Sequence, residues 1–138
     1  MTIAPILLDT CALLWISNKN PISGAASAAL AQAQDEINGL TVSPISSWEL
    51  GQLVARGRLA LPMDPLAWFQ AALDIGILLA PMPHSVLVGS SFLPSQRIRD
   101  PADRIIAATA RAFGYRLMTR DRPLLDFAAE GHLQAIAC

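Results

Sequence analysis

Ile3-Ala4-Pro5-Ile6-Leu7-Leu8-Asp9-Thr10 is the stretch from which the fold can be read. Its nearly continuous apolar run, Ile3 to Leu8, is the pattern of a strand buried on both faces, and such strands belong to parallel sheets covered by helices on each side. The run stops at a carboxylate. Asp9 is followed by Thr10-Cys11-Ala12, an apolar-leaning setting in which an unpartnered charge is costly.

Outward from this strand the chain alternates between the two periodicities. Further strand candidates are Ile37 to Val42, Ile75 to Met82 (ended by Pro81 and Pro83), Arg116 to Thr119 and Leu133 to Ala137. Between them, helices are predicted over Cys11 to Ser17 and over the Ala-rich Ser23 to Ala33. Ser43-Pro44 supplies a cap and first turn for a helix through about Ala55, with a shorter helix around Arg56 to Leu61 or just before it. Asp64-Pro65 opens a helix through Leu73, His84 to Leu93 reads as helical, and Asp100-Pro101 opens a helix through Phe113 that Gly114 stops. A last helix fits Leu124 to Ala129. This order predicts an α/β fold of three layers, α/β/α, around a central mostly parallel sheet of four to five strands.

Composition bounds the function. At 138 residues the chain fits a single domain, residues 1–138, and 53% apolar with 15% charged side chains excludes a disordered or acidic-tail protein. Its low polarity suggests surface hidden against a partner or a second copy. Gly76 to Pro83, the longest apolar stretch, is far short of the ~18 to 20 residues of a membrane span. No membrane association is expected. The first fifteen residues contain no Lys or Arg and include Asp9, so they do not read as a secretory signal and a cytoplasmic location is expected. Cys11 and Cys138 lack metal-type spacing; Cys11 reads as a small core residue and Cys138 as a terminal thiol.

Of eleven acidic residues, four stand at equivalent places. Asp9 follows the first strand, Glu49 lies in the helix after the second, Asp121 follows the fourth, and Asp103 lies in the first turn of the helix leading into the fourth. In parallel α/β sheets ligands bind outside the carboxyl ends of the strands, and these four positions are expected on that rim. Gathered carboxylates repel and resist ionisation unless a cation is present. Hard oxygen ligands without a histidine select Mg²⁺ or Mn²⁺, ions that handle phosphate oxygens and activate water. Each acid also has a local explanation: Ser46 and Glu49 are spaced as a capping box, Asp100 and Asp103 as N-cap and N3, and Asp121 and Asp126 as turn residues.

Leu7-Leu8-Asp9-Thr10, Ser43-Pro44-Ile45-Ser46-Ser47-Trp48-Glu49-Leu50, Arg99-Asp100-Pro101-Ala102-Asp103-Arg104-Ile105-Ile106-Ala107 and Thr119-Arg120-Asp121 occur in this order. In order and spacing they resemble the motifs of PIN-domain ribonucleases, above all the VapC toxins of toxin-antitoxin systems. The resemblance implies a PIN-like fold and a metal-dependent endoribonuclease with Asp9, Glu49, Asp103 and Asp121 as its acidic site. By the same resemblance Asp9 and Asp103 are metal ligands, Glu49 completes the cluster or orients water, and Asp121 holds a second metal or its water shell. Thr10, Thr119 and the outer acid Asp100 are secondary members. A cognate antitoxin whose tail covers the site, and a homodimer, are also implied.

Seven of the ten basic residues lie between Arg97 and Arg122. Arg99, Arg104 and Arg120 flank the acids and are candidates for RNA phosphate contacts, whereas Arg111 and Arg116 read as neutralising neighbouring carboxylates or as simply solvated. Trp15, Trp48, Trp68 and Phe69 read as core or interface residues, and His84 and His132 as surface or satisfied side chains. Two alternatives accompany the nuclease reading: a Mg²⁺-dependent phosphatase-like enzyme, disfavoured by Asp9-Thr10-Cys11 where paired acids are needed, and a catalytically silent binding module that has kept the fold.

Overall fold

The computed structural model describes residues 3–36 and 39–138. Five parallel strands form one sheet in the order β3-β2-β1-β4-β5, where β1 is Ile6–Leu8, β2 Leu40–Val42, β3 Leu78–Leu79, β4 Arg116–Thr119 and β5 Gln134–Ala137. Register across the centre aligns Leu8 with Val42 on one side and Met118 on the other. The first strand of the sequence is therefore the middle strand of the sheet.

Alternation along β1 divides the core in two. Ile6 and Leu8, with Val42 and Met118, pack with α1 (Thr10–Ser17), α2 (Gly24–Gln34) and α4 (Pro65–Asp74), where Leu13, Ala29, Trp68 and Phe69 lie. Leu7 and Leu117 face the other way, onto α5 (His84–Gly89), α6 (Pro101–Phe113) and α7 (Arg122–Ala129), against Val86, Ile106, Leu124 and Phe127. Burial of both faces is what the unbroken apolar run of β1 requires, and it yields the three layers expected. Helix α3 (Pro44–Ala55) lies against α1, α4 and α6.

Local differences from the sequence reading have physical causes. The strand expected from Ile3 begins at Ile6, and Ile37, at the start of the second, lies outside the described residues. Of Ile75 to Met82 only Leu78 and Leu79 pair, as an exposed edge strand, while the buried Ile77 and Ala80 anchor its ends. The short helix expected around Arg56 to Leu61 does not form: α3 ends at Ala55, and Gly57, at a φ of 70°, turns the chain away. His84 to Leu93 splits into α5 and a 3-10 turn, Ser90–Phe92. Cys11 is exposed rather than core, because it sits on the outward face of α1. Asp126, expected in a turn, lies within α7.

Candidate active site

Three strand-to-helix junctions on the carboxyl rim are capped by an oxygen-bearing side chain, while the junction from β3 to α5, with Pro83 at the N-cap, is not. Asp9 caps α1 through Ala12 N–H at 2.7 Å, Ser43 caps α3 through Ile45 N–H, and Asp121 caps α7 through Leu124 N–H. Asp100 caps α6 by accepting from Ala102 N–H and Asp103 N–H. Because α6 runs antiparallel to β4, its N-terminus reaches the same rim. Capping thus accounts locally for three acids, yet sheet order gathers those caps in one place, since β1 lies between β2 and β4.

Three carboxylates, Glu49, Asp100 and Asp103, present oxygens within 4.8 Å of one another. Asp9 and Asp121 lie close enough for their charges to act on Asp103. Burial first, then Asp100, Glu49, Asp121 and Asp9, pushes the Asp103 carboxyl up to about 8. Burial likewise raises Asp9 and Glu49, opposed in each by hydrogen bonds and reinforced by neighbouring acids. Although Cys11 is exposed as a residue, partial desolvation of its thiol at the rim, followed by the charges of Asp9, Asp103, Glu49 and Asp121, pushes that thiol up to about 11. All four acids singled out from the sequence are felt at that one point on α1. The tight group, however, is completed by Asp100, which the sequence reading placed outside.

Hydroxyl groups fix two of these carboxylates. Thr119, fully buried, donates to Asp9 Oδ2 and accepts from Asp121 N–H. Thr10 donates to Glu49 Oε1 and lies 2.8 Å from the Ser46 hydroxyl. Thr10 has a single proton, so Ser46 completes this chain by donating to Thr10. The capping-box reading of Ser46 and Glu49 is thereby replaced: Ser43 is the cap, and Ser46 and Glu49, three residues apart on one face of α3, both turn toward α1. That shared face was the signal in the sequence for Ser46. Thr119→Val, similar in shape but without the hydroxyl, is expected to destabilise the fold by about 1–3 kcal/mol in urea titrations, since it strands a buried carboxylate oxygen and an N–H. An unchanged midpoint would contradict this role.

The arginines separate by what they touch. Arg104 donates to the carbonyls of Ser90 and Ile98 and so braces the loop before α6. Arg120 lies 3.7 Å above the Trp15 ring and bonds the carbonyls of Pro21 and Cys138. Arg111 and Arg116 hold the carbonyls of His132 and Ala4. Arg99, next to Asp100 in the chain, is exposed, with no side-chain partner among the described residues. Trp68 and Phe69 are core, as expected, but Trp48 is 55% exposed.

The donor set suits a hard divalent cation. It consists of carboxylate oxygens, all three of the raised acids carry unrelieved repulsion, and no cationic side chain lowers any of them.

The sequence profile of the PIN domain matches residues 6–130. Ribonuclease VapC22 of Mycobacterium tuberculosis (strain ATCC 25618 / H37Rv) is 38% identical over 124 residues, which cover 86% of this chain and 88% of that protein. Among solved structures, VapBC2 from Rickettsia felis, bound to a DNA fragment from their promoter, matches 96% of this chain and 98% of that chain with a TM-score of 0.63 at 18% identity. FitAcB from Neisseria gonorrhoeae matches 95% of this chain and 96% of that chain, with a TM-score of 0.55 at 23% identity. The two structures speak for the fold. The profile and the VapC22 identity extend over most of the sequence, and the chain belongs to the PIN-domain family, among its VapC-type ribonucleases.

Proposed function

We propose that residues 1–138 act as one PIN-like domain, a metal-dependent endoribonuclease toxin that hydrolyses RNA phosphodiester bonds. The observation that carries this reading is the carboxylate group on the rim, whose mutual repulsion no protein cation relieves. Glu49, Asp100 and Asp103 would hold Mg²⁺ or Mn²⁺, with Asp9 and Asp121 as flanking acids for the ion's water shell or a second ion. Such an ion, when bound, lowers the pKa of its water and stabilises charge on the attacking and leaving oxygens.

The chain's own groups prepare that chemistry. Thr10 pins one oxygen of Glu49 and leaves the other to orient water or accept its proton. Thr119 holds Asp9 in a single orientation, which spares the site reorganisation when charge develops. Asp103 retains a proton in the metal-free protein at neutral pH and would release it to solvent when a cation binds. Arg99, the one flanking arginine without a side-chain partner among the described residues, serves an RNA phosphate; Arg104 and Arg120 support the backbone around the site.

A cognate antitoxin, which the VapBC2 and FitAcB neighbours support, and a homodimer complete the proposal. Exposed Leu78 and Leu79 on an unpaired sheet edge, together with Val88 and Phe92, are apolar surface suited to such contacts. No helix among the described residues is long and apolar enough to cross a membrane, which accords with the proposed cytoplasmic setting.

Purified protein incubated with defined RNAs is expected to cut them with Mg²⁺ or Mn²⁺, and Asp9→Ala, folded by circular dichroism, is expected to leave them intact. RNA that survives wild-type protein with both ions would sink the proposal.

A further inference from the structure

Seven arginines cluster between Arg97 and Arg122; the only two elsewhere, Arg56 and Arg58, stand just beyond the C-terminal end of α3. They line a cavity of about 210 Å³ together with Trp48, Glu49, Gln52 and Asp100. Two acids of the trio and two arginines therefore line one cavity. Both arginines are exposed, and among the described residues neither pairs with a carboxylate or donates from its side chain to a carbonyl, unlike Arg104, Arg111, Arg116 and Arg120.

Helix spacing explains the arrangement. Trp48, Gln52 and Arg56 recur every four residues and form a stripe along α3, bordered by Glu49. Gly57, at its left-handed φ, then lets the chain turn so that Arg58 returns to the same cavity. Trp48 is left 55% exposed, whereas Trp68 is only 8% exposed. An indole in solvent beside two unpaired arginines is the chemistry of a stacking platform with phosphate clamps.

We infer that this groove is an RNA subsite: a single-stranded nucleotide next to the scissile phosphate stacks on Trp48, and Arg56 and Arg58 hold its flanking phosphates. The inference rests on the nuclease reading and deepens it. A polyanion approaching five carboxylates needs cations nearby, and these two arginines line the cavity that Glu49 and Asp100 also line. The groove favours nucleic acid over protein because its free groups are positive and planar and its wall is continuous with the trio.

The test has two arms. In the first, a short fluorescein-labelled single-stranded RNA is titrated into Asp103→Asn protein, so that binding is read without cleavage. Trp48→Ala on this background is expected to weaken binding about 10-fold, with Trp48→Phe recovering most of it. Arg56→Ala with Arg58→Ala is expected to weaken it comparably at low salt and to flatten the slope of log K against log salt by about 0.7 per lost phosphate contact. In the second arm, with Asp103 intact and Mg²⁺ present, the same changes are expected to raise KM far more than they lower kcat.

Unchanged Kd and KM in variants whose circular dichroism and melting match the parent protein would overturn the inference. So would unchanged RNA binding with weakened binding of the cognate antitoxin, which assigns the groove to protein. A wild-type protein that cuts no RNA would remove the nuclease reading instead, and the first arm would still decide the groove.

Discussion

Asp103→Asn is expected to lower RNA cleavage about 1000-fold, on the scale of losing one preorganised electrostatic group, while raising the melting temperature of the metal-free protein at alkaline pH. The two effects share a cause. Asp103 is half buried among four other acids, and its pKa stands at about 8 against 3.8 for an ordinary aspartate. The folded state therefore holds a proton that the unfolded chain releases between those values. The stability this proton confers is complete below about pH 3.8 and is lost as pH rises through about 8. Asparagine keeps the shape and removes the charge, so the variant gains over wild type as pH climbs through that window and matches it in acid. Melts at pH 5, 7 and 9 beside cleavage assays check this; a lower melting temperature for the variant at pH 9 would mark Asp103 as a structural acid.

Mg²⁺ is expected to reverse that ranking, and excess chelator to abolish cleavage. An ion that binds only the folded state stabilises it by about 2.7 kcal/mol at 100 times its Kd. Wild-type protein should show this as a rise in melting temperature that Asp103→Asn largely loses. Proton and metal compete for one carboxylate, so apparent Mg²⁺ affinity should fall about tenfold per pH unit below the Asp103 value of about 8. Calorimetry in buffers of different ionisation enthalpy should register about one proton released per ion. Cleavage that persists in excess chelator, or affinity that ignores pH from 6 to 8, would contradict the carboxylate centre.

Much of the site was legible because its acids obey local rules. Asp9, Asp100 and Asp121 each bond an N–H two or three residues ahead, and Pro101 and Pro123 sit in the first turns of α6 and α7. A reader of strand ends and helix starts finds them. Glu49 is found the same way, and only its local explanation as a capping-box member fails, since its partner Thr10 lies 39 residues away. The flanking arginines divide: proximity in sequence to the acids suggests phosphate contacts for Arg99, Arg104 and Arg120, yet the guanidinium groups of Arg104 and Arg120 bond carbonyls that the fold brings beside them. For Arg104 these are the carbonyls of the loop before α6, and for Arg120 the C-terminal one.

By itself the sequence determined the layered α/β fold, the central burial of Ile6 to Leu8, and the junctions at which carboxylates cap helices. These follow from periodicity and from hydrogen bonds that close within a turn. Tertiary structure alone decided which carboxylates meet, that Asp100 joins Glu49 and Asp103, that Thr119 locks Asp9 across 110 residues, and that Trp48, Arg56 and Arg58 border the same rim. Those contacts depend on placing β1 between β2 and β4. Strand order is set by how both faces of the sheet are buried together, a property of the whole core that no local stretch encodes.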